Sequence, residues 1–217
     1  MQKKILFFLL ILVLALTVNV SAARELNGDN LDLEQTEEGQ VFKAAGNVEL
    51  IYDELRITAD DEGIYRRYNG EIEFRSNVEL FYQEFEAQAV ELTGNLGTEV
   101  FHLIEQAEVR GQNSLLRADR IDIYRAEDRI EVKGNAYLEY NNFWAEADQI
   151  TYHLDQELIL LEGNVRGERN GESFNSQSAE VDQQTEEVQL RGQATLRFSQ
   201  DEQNQNAENS DSGTVEE

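Results

Sequence analysis

Apolar and polar side chains alternate along most of this chain with a period of two. Stepping by two through Gly134 gives Ile130, Val132, Ala136, Leu138 and Tyr140 on one side, and Glu131, Lys133, Asn135, Tyr137 and Glu139 on the other. The same step gives Phe42, Ala44, Val48, Leu50 and Tyr52 around Gly46. It gives Ile72, Phe74, Val78, Leu80 and Tyr82 around Ser76, and Val188, Leu190, Ala194, Leu196 and Phe198 around Gly192. Neighbouring residues of a strand point to opposite faces, so one apolar and one charged face held in phase over about eleven residues predicts half-buried antiparallel strands. A helix, with its apolar positions recurring every three or four residues, would lose that phase.

The alternation is organised by a repeat. One short phrase returns as AGNVEL at Ala45, SNVEL at Ser76, EQAEV at Glu105, GNAYL at Gly134, GNVRG at Gly163 and GQATL at Gly192. Between the anchors Gly46, Ser76, Glu105, Gly134, Gly163 and Gly192 the spacings are 30, 29, 29, 29 and 29 residues. A second phrase precedes most anchors by about 17 residues: TADDEGIY at Thr58, AVELTG at Ala89, ADRIDIY at Ala118 and ADQITYH at Ala147. In the last unit Ala179-Glu180-Val181-Asp182 stands closer to its anchor, which predicts a shortened loop there. Each unit is two extended segments joined by a turn, and the unit stacks on its neighbours. Glycine inside a strand weakens it and marks a bulge or bend. Once per unit, it bends every strand at one level. The predicted fold is all-β: two facing antiparallel sheets, or one sharply bent sheet, with a continuous apolar interior and an open edge at each end of the stack. Twelve strands shared between two layers at about 4.8 Å spacing give a body roughly 30 Å long.

The ends of the chain have other characters. Lys3 and Lys4, the apolar run from Ile5 to Leu16 and the small residues Val20-Ser21-Ala22-Ala23 compose a secretory signal peptide over residues 1–23, cleaved after Ala22 or Ala23. An uncleaved anchor is the alternative, because Ile5 to Val20 falls a little short of the roughly 20 apolar residues a spanning helix needs. Residues 24–198 form one domain, and residues 199–217, with Val215 as their only large apolar residue, read as a disordered acidic tail. The chain has no cysteine, which excludes a disulfide framework and a lipid-modified cysteine after the signal.

The formal charge is −26, and removal of the two signal lysines moves it to about −28. That excess excludes a nucleic-acid partner, which requires a basic face. The acids are spread along every segment without a calcium-loop pattern, so they are read as solvating charge, and no metal or cofactor is expected. Catalytic patterns are absent too: no G-x-S-x-G elbow, phosphate loop or H-E-x-x-H occurs. His102 and His153 stand alone in separate units and read as surface or packing residues. Asp60-Asp61 and Glu37-Glu38 are sequence neighbours that a strand sends to opposite faces. Trp144, beside Phe143, reads as a packing residue, with a lipid-touching rim position as the alternative. The chain is not read as an enzyme.

The pattern AD-x-I-x-Y, an apolar strand and then GNV-x-L, repeated behind a signal peptide, resembles the OstA/LptA family of periplasmic lipopolysaccharide-export proteins, over Leu26 to Phe198. The resemblance implies a β-jellyroll open along one side. Its apolar interior would hold the acyl chains of lipopolysaccharide or a similar glycolipid, with the sugars projecting outward. By position that interior would be lined by Phe42, Val48, Leu50, Ile72, Phe74, Val78, Leu80, Leu103, Val109, Ile121, Ile123, Ile130, Val132, Leu138, Ile150, Ile159, Leu161, Val165, Val188, Leu190 and Leu196. It further implies a periplasmic location, transport components at both membranes as partners, and head-to-tail stacking into a bridge. Arg191 and Arg197 of the last strand would then face Asp29 and Asp32 of the first. The acidic balance, Glu105-Gln106 in place of Gly-Asn, and the tail depart from the family pattern. Two other readings stand beside the bridge: a membrane-anchored transport subunit, and a structural envelope repeat protein with a closed core.

The apolar run ending in Val20-Ser21-Ala22 predicts that the exported chain begins at Ala23 or Arg24. N-terminal sequencing of the exported protein checks this; recovery of Met1 from membranes would assign the anchored class.

Overall fold

A computed structural model describes residues 24–198, so the expected signal peptide (1–23) and the expected disordered tail (199–217) lie outside the described residues. Sixteen strands form a single antiparallel sheet. In chain order they are β1 (Arg24–Asn27), β2 (Asn30–Gln35), β3 (Gln40–Ala45), β4 (Val48–Tyr52), β5 (Leu55–Ala59), β6 (Glu62–Arg66), β7 (Glu71–Tyr82), β8 (Phe85–Asn95), β9 (Val100–Arg110), β10 (Ser114–Tyr124), β11 (Arg129–Tyr140), β12 (Phe143–His153), β13 (Leu158–Arg169), β14 (Glu172–Asp182), β15 (Glu187–Arg191) and β16 (Thr195–Arg197). One 3-10 turn, Arg125–Glu127, interrupts them. Taken as passes across the molecule they number twelve: β1/β2, β3/β4, β5/β6, the unbroken β7 to β14, and β15/β16. Every pass bends once near its middle, which folds the sheet into two facing layers. One layer begins with β1, β4 and β5 and ends with β16 on β14; the other begins with β2, β3 and β6 and ends with β15 on β14. Turns join successive passes alternately at the free rim of one layer and of the other. The side opposite the bend therefore stays open as a seam: the sharply bent sheet expected from the repeat is the open β-jellyroll that the family resemblance implies.

The bend has a specific backbone cause. In all six units the anchor and its successor are both left-handed, with φ of 72° and 47° at Gly46-Asn47, 70° and 51° at Ser76-Asn77, and 62° and 54° at Glu105-Gln106. The values are 75° and 50° at Gly134-Asn135, 78° and 49° at Gly163-Asn164, and 73° and 49° at Gly192-Gln193. At Ser76, Glu105, Gly134 and Gly163 the pair stands opposite a single residue of the next strand, a wide bulge that turns the ladder, visible as the register shift between Lys133 and Ala136; Gly46-Asn47 stands opposite Asp60-Asp61. An aspartate of the preceding pass locks the corner: Asn47, Asn135 and Asn164 donate their side-chain amides to Asp29, Asp119 and Asp148 at 2.8, 2.9 and 2.9 Å. Where the anchor is glycine the same carboxylate fills the place of a side chain, a Cβ on Gly134 lying 2.6 Å from Asp119 Oδ2, while in the second unit the Ser76 hydroxyl donates to Asp61. This explains the irregular third unit. Val90 occupies the place of the aspartate, so both the crowding and the amide acceptor are gone, and Glu105-Gln106 fits where Gly-Asn does elsewhere. In the last unit the corner residue is Gln177, fifteen residues before Gly192, as Asp148 is before Gly163. The loop there is not shortened; Ser176-Gln177 is the true counterpart of Ala147-Asp148, and its polar substitution hid it.

Packing follows from the bend. Beside it, the layer starting at β1 supplies small inward residues, Ala59, Ala89, Ala107, Ala118, Ala136 and Ala147, while the facing layer supplies Phe74, Leu92, Leu103, Ile121 and Ile150. Small against large lets the layers meet closely at the spine and diverge toward the seam. Three inward glycines accept a phenylalanine ring from the paired strand: Gly63 opposite Phe74, Gly94 opposite Phe101 and Gly167 opposite Phe174. Each pass contributes a strand to both layers, so twelve passes at about 4.8 Å spacing make a body roughly 50 Å long, not the 30 Å obtained by dividing twelve strands between two layers.

Gly134→Ala places a Cβ against Asp119 in a left-handed backbone and is expected to cost about 2 kcal/mol or more in urea unfolding. In an Asp119→Ala background the crowding is gone, and the same substitution should cost about 1 kcal/mol. Equal costs in the two backgrounds would show that the carboxylate does not police the corner.

Candidate functional site

The twenty-one residues assigned to the interior divide by place. Sixteen of them, from Val48 to Val165, are buried side chains of one hydrophobic cluster between the layers. Phe42 and Ile123 are partly exposed, Phe42 at the first end of the stack and Ile123 beside the seam. Val188, Leu190 and Leu196 belong to the last pass, which no other described residue covers on its outer edge; Leu196 is 45% exposed. Others line the same interior without having been singled out: Leu55, Ile57, Leu92, Leu116, Phe143 and Phe174. A change of inward parity at the corner residue explains four of them, Leu92, Leu116, Phe143 and Phe174, in the passes of Val90, Asp119, Asp148 and Gln177. In the Asp148 pass the chain spends two residues between Ala147 and Ile150, so the inward phase changes from odd to even and a continuous step of two misses one half of the strand. Phe101, in phase with Leu103, is legible in the alternation.

The seam is where the interior meets solvent, and tyrosines border it. Tyr52, Tyr82 and Tyr140 end strands on one rim; Tyr65, Tyr124 and Tyr152 stand on the other. Burial pushes the Tyr152 hydroxyl above its ordinary pKa, with Tyr140 and Glu157 adding to the shift and the Gln183 hydrogen bond opposing it. Tyr65 shifts the same way, by burial and then by Tyr52. These rings stay neutral and present an apolar body with a polar tip. Arginines cover several of them. Arg125, in the 3-10 turn of one rim, reaches across the seam to Tyr82, donating to its hydroxyl at 3.2 Å and lying 4.0 Å from the ring centre.

Three clefts follow one another along the seam. The first, of about 520 Å³, opens at the N-terminal end among Leu26, Leu31, Leu33, Phe42, Tyr52 and Tyr65. The second, of about 510 Å³, lies under the Tyr82–Arg125 contact, with Leu55, Leu80, Phe101, Ile130 and Leu154 in its walls. The third, of about 450 Å³, lies toward the C-terminal end between Tyr140-Asn141-Asn142-Phe143 and Asp182-Gln183. The two ends of the stack expose inward-facing residues that an additional pass would cover: Leu31 (57%) and Leu33 (62%) at one, Leu196 and Phe198 (71%) at the other.

Other candidate residues lie away from this surface. Trp144 faces outward and stacks on Tyr137, ring centres 6.5 Å apart. His102 Nδ1 lies 2.7 Å from the buried Asp122 carboxylate on the outer face, where Arg120 and Lys133 also donate to it. Burial raises the Asp122 pKa, but the hydrogen bonds from His102, Lys133 and Arg120 outweigh it and hold the carboxyl below its ordinary value. Among the described residues no group of three His, Asp or Glu side chains is arranged to hold a metal ion.

Comparison with known proteins agrees with the geometry. A family model described as the LptA/(LptD N-terminal domain) LPS transport protein matches residues 24–157 and 112–187. A solved structure with the same fold is that of LptH from Pseudomonas aeruginosa, described as the LptA-homologous periplasmic component of the conserved lipopolysaccharide transport device. The two are 15% identical, the match covers 54% of this chain and 96% of that one, and the TM-score is 0.51. At that identity the likeness is one of fold. Among curated proteins none matches.

Because the Asp122 pKa is depressed in the folded state, its stabilising effect is present above the unfolded carboxylate value and is lost as pH falls through the folded one. Asp122→Asn should therefore unfold more easily at pH 7 and lose part of the acid-induced decline seen in the wild type, as measured by thermal melts between pH 7 and pH 2. A pH profile parallel to that of the wild type would rule the carboxylate out as a source of that decline.

Proposed function

We infer the function from one premise: the chain belongs to the LptA/LptD N-terminal domain family and is a lipopolysaccharide transport protein. We propose that its part in transport is to hold the acyl chains of lipopolysaccharide or a related glycolipid between the two layers, entered through the seam, and to bridge inner and outer membranes in the periplasm by stacking head to tail with itself or with other transport components. The observation that carries this reading is the open seam continued to two uncovered ends. A tyrosine-bordered slit into an apolar interior suits an amphiphile whose tail goes in and whose polar part stays out.

Stacking is supported by parity. Twelve passes are an even number, so a second copy in the same orientation meets the last pass with an antiparallel first pass, β1 against β16 and β2 against β15. Continuing the register of β13 on β14 sets Leu190 opposite Leu31, Val188 opposite Leu33 and Leu196 opposite Leu26. Those pairs cover the apolar residues left bare at both ends. The chain contains no proline, so no edge residue lacks an amide for pairing. The ionic pairing differs from the one expected from sequence. Arg191 is already bonded to Glu180, and Asp29 to Asn47, while the register brings Arg197 opposite Glu25.

The close packing of the central residues favours a second reading, a structural repeat protein with a closed core, and lipid analysis separates the two. Mass spectrometry of lipid extracted from the purified protein is expected to find a glycolipid, lost at least tenfold in Leu138→Asp, whose buried carboxylate also costs several kcal/mol of stability. A lipid-free wild type would sink the carrier reading. For the bridge, sedimentation should show concentration-dependent assembly abolished by Leu31→Asp; assembly unchanged by that substitution would rule out the proposed interface.

A further inference from the structure

The third cleft differs in chemistry from the two before it. Its floor is apolar, Phe143 and Val181, but its walls carry amides: Asn141 and Asn170 from the turns of one rim, Gln183 from the other. Gln183 Oε1 accepts a hydrogen bond from Tyr152 at 2.6 Å, while its Nε2 is buried with no protein acceptor in reach. Buried donors are nearly always matched, so this unmatched one, on a side chain that lines the cleft, is a group that an acceptor brought by a ligand would satisfy. Asp182 and Glu186 stand on the same wall as Gln183, and Arg169 stands opposite.

We propose that this cleft is a saccharide subsite, binding the sugar portion of a glycolipid whose acyl chains enter the seam. Sugar hydroxyls both donate and accept. The cleft offers both partners, with amide and guanidinium donors, carboxylate and amide oxygens as acceptors, and the Tyr140 ring as an apolar face. An acyl chain lying here would strand the amides, and a phosphate would meet Asp182 and Glu186 in a chain that already carries −26. The volume of about 450 Å³ falls within the roughly 300–1,000 Å³ of small-ligand sites. The apolar floor continues into the interior beside Val188, so a ligand bound here spans both chemistries. The site rests on the carrier reading for its biological ligand, but not for its own test.

The test uses the full exported chain and two probes in isothermal titration calorimetry: a de-acylated oligosaccharide prepared from lipopolysaccharide, and a saturated fatty acid with no sugar. Gln183→Met removes the amide at nearly constant length. Asn170→Gly removes a second amide at a position whose φ of 52° glycine adopts freely. Wild type is expected to bind the oligosaccharide, each variant about tenfold more weakly, and fatty-acid affinity should change less than about twofold. The proposal is overturned if wild type does not bind the oligosaccharide, or if both variants bind it as wild type does. Oligosaccharide binding by a wild type that ignores the fatty acid would sink the acyl-groove reading and leave the saccharide subsite standing.

Discussion

Two consecutive left-handed residues at the corner of every unit are the constraint on which the rest depends. A flat antiparallel sheet with one apolar face would need a second body to cover that face. Here the bulge turns each strand through the same corner at the same level, and the sheet covers itself. Asp119 against Gly134-Asn135 shows the economy of the device: the carboxylate satisfies the asparagine amide and excludes any side chain from the anchor. The third unit obeys the same rule in reverse. With Val90 in the aspartate's place, neither glycine nor asparagine is required, and the backbone keeps the same left-handed pair.

Folding a sheet on itself from one corner leaves three openings that no local interaction can close: two ends and a seam. The small inward residues beside the bend hold the spine shut, and larger ones fill the wedge, so solvent reaches the interior only along the rims. At the rims the strands end in tyrosine four times, at Tyr52, Tyr82, Tyr124 and Tyr140, and twice one residue short of the end, at Tyr65 and Tyr152. Such residues suit a boundary between an apolar volume and water. In the proposed function, that boundary is where tail and polar group part. The openings themselves are consequences of the architecture.

The acidic charge belongs to a different level. Among the described residues most strand carboxylates occupy outward positions, many paired with arginine or lysine across neighbouring strands, as Glu49 with Arg56 and Glu34 with Lys43. Exposed pairs of this kind contribute little stability each. Their effect is to keep an open, edge-bearing sheet solvated and to make its ends choosy about partners, since like-charged faces repel.

By itself the sequence determined the strand type, the two-pass unit, the bend once per unit and the face of every residue in the passes that carry the Gly-Asn anchor, because period-two alternation survives a bulge of two residues unchanged. It also carried a family likeness strong enough to identify the transported class. The inward phase before the corner in passes such as that of Phe143 was beyond it, although Ile121 and Ile150 after the corner were placed correctly. The step from Ala147 to Ile150 reverses parity, and only pairing with the neighbouring strand shows where the reversal falls. Gln177 as a corner residue was hidden because its chemistry departs from aspartate while its backbone role does not. The seam, its clefts and the contact of Arg125 with Tyr82, forty-three residues away, were decided by tertiary structure alone. Their residues meet across two layers and through no local pattern, so their conjunction exists only once the sheet has closed upon itself.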